Sequence, residues 1–227
     1  MLDNTLYKLK NNKELTIGFF GGSITEGAGA SDASRTSWRG SVMRWFRERY
    51  PDHEIREIQA AIGGTGSSLG IFRCERDLLS KKPDLVFMEY SVNDGLGDYD
   101  TIMTDSETIV RKIYASDPHT DIVYVHTTTK YLSDHIASGG EYTARSAHSA
   151  VMHRYGIPQT DVGEILRSKV RENDVWGISE SKELYLMLVQ TDKEALPIIL
   201  ARLKQAGLVC RQIDEELTGN NRTGENK

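Results

Sequence analysis

Three short polar clusters fall within the first hundred residues of this 227-residue chain: Gly21-Gly22-Ser23-Ile24-Thr25, Ile62-Gly63-Gly64-Thr65 and Ser91-Val92-Asn93-Asp94. A serine hydroxyl can attack an acyl carbon. Glycine-rich backbone leaves N–H groups open to a ligand, and an asparagine amide adds a third donor. Nucleophile and donors together are the parts that ester hydrolysis needs, because the negative charge of a tetrahedral intermediate must be met by hydrogen bonds where it forms. Each cluster alone has a plainer explanation: turn glycines, a serine helix cap, or an Asx turn at Asn93-Asp94. Their joint occurrence favours the chemical one.

Each cluster follows a strand-like run. Leu15 to Phe20, Glu54 to Ala61 and Asp84 to Tyr90 are short β-prone segments, and Asp121 to His126 and Ile157 to Val162 continue the series. Helical spacing appears between them at Ser37 to Tyr50, Leu69 to Ser80, Asp105 to Ala115, Glu141 to Tyr155 and Gly163 to Arg171. Strands alternating with helices predict an α/β fold, a three-layer α/β/α sandwich on a parallel five-stranded sheet of flavodoxin-like order 2-1-3-4-5. That order brings the three clusters side by side, beyond the carboxyl ends of neighbouring strands. The stretch 173–190 has no clear period, and Pro197 interrupts a helical pattern over Leu196 to Ala206.

Lys and Arg number 28 against 33 Asp and Glu, a formal charge of -5 that offers no attraction to a polyanion, so no nucleic-acid partner is expected. Cys74 and Cys210 are too few for a disulfide framework and lack zinc-ligand spacing. No run approaches the ~20 apolar residues of a membrane span, and Met1 to Lys13 has no apolar leader core. The expectation is a cytoplasmic protein with no membrane partner, one domain over 1–217 and a polar, disordered tail over 218–227. Oligomeric state has no readable code.

Gly21-Gly-Ser-Ile-Thr resembles the nucleophile block of the SGNH (GDSL-type) hydrolases, with Gly22 where aspartate is commoner. Ile62-Gly-Gly-Thr resembles that family's glycine block and Ser91-Val-Asn-Asp its Gly-x-Asn-Asp block, and the blocks come in the family's order across about Leu15 to Val170. The resemblance implies Ser23 as nucleophile, with the Ser23 and Gly64 N–H groups and the Asn93 amide as oxyanion donors. It implies hydrolysis of a small acyl ester, an acetylated carbohydrate among the substrates that analogy offers.

The family also carries a late Asp-x-x-His block, and this chain departs from it. None of the six histidines, His53, His119, His126, His135, His148 and His153, has aspartate three residues before it. Where the block belongs the chain reads Met187-Leu-Val-Gln190-Thr-Asp, and glutamine cannot act as a base near neutral pH. His126, at the predicted carboxyl end of the fourth strand, is the candidate base. The competing explanation is a strand-end histidine bonded to the Thr127 to Thr129 loop, and His119 belongs to the opposite edge. A catalytically silent fold that binds without turnover is the alternative to an esterase.

Other motifs fail on their residues. Gly22 to Gly27 has Walker-loop spacing but Ala28 where lysine is required, and Gly64-Thr-Gly66-Ser-Ser-Leu69 lacks the third glycine of a dinucleotide fingerprint. A Gly-x-Ser-x-Gly elbow fails at Thr25. Trp38 fits the core stripe of its helix better than a pocket wall. Glu89 and Asp94 without histidine or cysteine at ligand spacing make a poor metal site, so neither metal nor cofactor is expected.

Overall fold

A computed structural model of the chain describes residues 2–164. Five strands, β1 (Glu14–Gly21), β2 (Glu54–Gln59), β3 (Leu85–Glu89), β4 (Asp121–His126) and β5 (Gln159–Asp161), form one sheet in the order β2-β1-β3-β4-β5. Every pairing is parallel. The expected α/β sandwich and strand order are the observed ones. Strands β3 and β4 are buried at every position, as inner strands covered on both faces must be, whereas β2, at an edge, buries only Ile55 and Ile58.

The helices are α1 (Asp3–Asn11), α2 (Ser23–Glu26), α3 (Trp38–Arg49), α4 (Ser67–Asp77), α5 (Ser91–Asp94), α6 (Tyr99–Ser116), α7 (Lys130–Ala137) and α8 (Thr143–Arg154). Leu9, Val42 and Phe46 from α1 and α3 pack with Leu15, Ile17, Phe19 and Phe87 on one face of the sheet. Ile109, Val110, Ile113 and Val151 from α6 and α8 pack with Phe20, Val86, Met88 and Tyr124 on the other. Trp38 is a core residue, its ring edge-on to Phe19 at 5.4 Å. Among the described residues no helix is long and apolar enough to cross a membrane.

Several boundaries differ from the sequence pattern for local reasons. Helix α6 begins at Tyr99 rather than Asp105 because the Asp98 side chain accepts from Thr101 N and starts the helix a turn and a half earlier. The helix expected to reach Ser80 ends at Asp77, followed by a 3-10 turn over Leu79–Lys81. Helix α1 has no counterpart among the expected elements; it buries only Thr5 and Leu9 and is tied down by Thr5 donating from both N and Oγ1 to Asp121 Oδ2. The expected helix over Gly163 to Arg171 runs out of the described residues after Glu164, and the stretch 173–190, Gln190 and the tail 218–227 lie outside them.

Candidate active site

Strand β1 stops where it does because Gly21 and Gly22 carry no side chain. A Cβ at residue 21 would meet Glu89 O and Thr25 Oγ1, and one at residue 22 would overlap Asn93 Oδ1. The chain therefore turns tightly into α2, with Gly22 as its N-cap and Ser23 as its first residue. Gly27 closes the turn with φ 91°, its N–H donating to Ser23 O at 3.0 Å. Behind it, the buried Arg39 donates from Nε to Thr25 O and pairs with Glu57, which fixes α2 against β2.

Level registration puts the three clusters on one edge. Gly21 pairs with Glu89 across β1 and β3, and Phe19 with Gln59 across β1 and β2. After β2 the chain passes through Gly63 and Gly64, which are exposed, and Gly64 has φ 74°, a left-handed conformation that a side chain would strain. A Cβ at Gly63 would lie 3.5 Å from Ser23 Cβ, so the glycine turn sits directly beside the half-buried serine. Glu26 Oε2 accepts from Gly63 N at 2.8 Å and joins the two turns.

Asn93 comes from α5, directly after β3, with its Oδ1 against Gly22. Three groups hold that helix. Tyr90 N donates to Tyr124 Oη, Ser91 Oγ bonds His126 Nδ1 at 3.2 Å, and Asp94 bridges Ser67 N at 2.8 Å and His148 Nε2 at 2.8 Å. Asp94 thus caps α4 from another loop and locks the asparagine turn to the glycine turn. Neither the Ser23 nor the Gly64 N–H, nor Asn93 Nδ2, has a hydrogen-bond partner among the described residues. Three unused donors and a hydroxyl share one sheet edge.

His126 stands at the end of β4 as expected, but its ring is turned inward. Nε2 bonds Gln159 Oε1 at 2.8 Å and Ser149 Oγ at 3.3 Å, Nδ1 bonds Ser91, and the residue is 3% exposed. Burial pulls its pKa down to about 4, against the Gln159 bond and the Asp161 charge, which raise it. The partners expected in the Thr127 to Thr129 loop are replaced by these three. His148 is fully buried between Asp94 and Ser106. All six histidines lie among the described residues, and none bonds Ser23 Oγ. The base role suggested by the strand-end position of His126 is not matched by a contact to Ser23, because burial commits both of its nitrogens elsewhere. His119 is exposed in the loop before β4, at the opposite edge.

Glu89 is enclosed, accepting from Thr25 Oγ1 at 3.0 Å and Thr127 Oγ1 at 2.7 Å. Burial raises its pKa, and the two threonine bonds oppose the rise. Its role as a buried tie between α2 and the loop after β4 could not be read from the sequence, where a glutamate in an apolar strand has no visible partner.

A family model described as GDSL-like lipase/acylhydrolase matches residues 19–178. The comparison with curated proteins returns no match. Among solved structures, a two-domain esterase active on acetylated mannans, crystallised with mannopentaose, is 26% identical with a TM-score of 0.72, covering 90% of this chain and 53% of that one. The chain thus spans about half the length of that relative. The lipase/acylhydrolase from Enterococcus faecalis, 19% identical with a TM-score of 0.61 over 85% of this chain and 96% of its own, shares the fold. So does a mutant acetyl-xylooligosaccharide esterase from Geobacillus Stearmophilus, 16% identical with a TM-score of 0.56 over 79% and 92%.

Proposed function

The chain belongs to the GDSL-like lipase/acylhydrolase family, and from that premise we propose that it is a carboxylic-ester hydrolase in which Ser23 attacks a small acyl ester. The Ser23 N–H, the Gly64 N–H and Asn93 Nδ2 stabilise the oxyanion. The observation that carries this reading is the set of three donors with no partner among the described residues, beside a half-buried serine on the carboxyl edge of the sheet. Acetylated carbohydrate is the substrate class we propose, supported by the acetylated-mannan esterase among the similar structures. The exposed Gly63 and Gly64 beside the serine suit a polar alcohol moiety.

The attack forms the Ser23 Oγ–acyl carbon bond and releases the alcohol, and water then frees the acid and restores the serine. No imidazole bonds Ser23, so the serine proton has no acceptor of the usual kind. That same observation favours a second reading, a fold that binds esters without turning them over. Hydrolysis of p-nitrophenyl acetate from pH 6 to 9, by the chain and by Ser23→Ala, separates the two. A rate lost in Ser23→Ala supports the esterase, and equal rates in both support the silent fold.

A further inference from the structure

One buried cation plays no part in the chemistry above. Arg73, on α4, is 4% exposed and lies beneath all three clusters. Its Nη2 donates to Gly21 O at 2.8 Å, Tyr90 Oη at 3.0 Å and Thr65 Oγ1 at 3.3 Å, and its Nη1 donates to Ala60 O. Gly21 lies two residues before Ser23, Ala60 and Thr65 bracket the glycine turn, and Tyr90 lies three residues before Asn93. Thr65 extends the chain of bonds by donating to Ile62 O at 2.7 Å, across the base of the turn.

The surroundings are built for this cation. The Phe20 ring faces the guanidinium at 4.5 Å, and Asp77, at 3.5 Å, carries the opposing charge. Gly70 lets α4 approach, since a Cβ there would stand 2.7 Å from Tyr90 Oη. Burying a charge is costly, and a well-packed apolar residue would fill the same volume more cheaply. What an apolar residue cannot do is hold several acceptors at fixed separations, which a planar fork of five donors does.

We propose that Arg73 is the positioning residue of this site, setting the separation of the Ser23 and Gly64 amides and the seat of the Asn93 turn without touching substrate. The proposal rests on reading those groups as the oxyanion donors. Its test is hydrogen–deuterium exchange on the full chain, in Arg73→Lys and Arg73→Met, at the bonded amides of Glu26, Gly27 and Ile62, together with kcat and KM for p-nitrophenyl acetate. Lysine keeps the charge but not the fork.

We expect exchange at those three amides to speed up about tenfold in both variants while β3 and β4 keep their protection. We also expect kcat to fall ~10–100-fold with KM nearly unchanged, since misplaced donors are felt in the transition state. Unchanged exchange at the two turns overturns the proposal, as does loosened exchange with kcat unaltered. Uniform loosening through β3 and β4 in both variants also overturns it, making Arg73 an ordinary core ion-pair residue. If the unmodified chain shows no Ser23-dependent hydrolysis, the esterase reading fails on its own, and the exchange pattern alone decides whether Arg73 positions the turns.

Discussion

Asn93 and Ser23 make separable demands on the proposed reaction. Ser23→Ala removes the attacking oxygen and should leave only background hydrolysis of p-nitrophenyl acetate, whereas Asn93→Ala removes one donor of three. The latter should lower kcat by ~10²–10³ with little change in KM, as measured by steady-state kinetics. His126 supports Ser91 and is buried. His126→Asn is therefore expected to retain a Ser23-dependent rate, where loss of a true base would cost ~10²–10⁴. The profile of kcat/KM should also lack an inflection near pH ~6.5, the signature of an imidazole base. At this scale the gathering of Ser23, Gly64 and Asn93 on one sheet edge was legible because each directly follows one of three neighbouring strands. The orientation of His126 was not, because Gln159 and Ser149 reach it from β5 and α8, more than twenty residues away in sequence.

Between elements, the tie from β3 to α2 and to the loop after β4 runs through Glu89, whose carboxyl is fully buried. A carboxyl with its pKa raised by burial contributes stability while protonated and loses it as pH rises through the folded-state value. Glu89→Gln, which cannot ionise, should therefore gain on the parent chain as pH is raised from 5 to 8, read as the difference in urea midpoint. Gly70→Ala tests the contact of α4 with α6 and with Tyr90, the residue after β3. Its methyl would press on Tyr90 Oη and on Ile109 Cδ1, 3.0 Å away, and should destabilise the fold by about 1–3 kcal/mol in the same assay. The alternation of strands and helices was visible in the sequence because apolar runs and helical stripes are local. The start of α6 was missed because a single aspartate cap outweighs an indifferent first turn, and α1 because its anchor, Asp121, lies 116 residues away in sequence.

For the whole molecule, the low pKa of His126 has a definite sign. Between pH ~6.5 and about 4 the unfolded chain takes up a proton that the folded chain refuses, so this group's contribution is complete above the unfolded value and is lost as pH falls. The loss should approach ~3 kcal/mol at pH 4, and His126→Asn should flatten that part of the urea-midpoint curve. The sheet order was legible as a whole, because parallel strands with covering helices leave few ways to connect. The convergence of Arg73, Asp94 and Glu89 beneath the site was not, since each acts on partners fixed only once the sheet has closed. The absent side chain at residue 22 carries a consequence for descent. Asn93 Oδ1 occupies the space that an aspartate Cβ would need, so the commoner family residue fits here only if the Asn93 carboxamide turns aside. Residue 22 is thereby coupled sterically to Asn93, and an exchange toward the aspartate form carries with it a shift of that side chain.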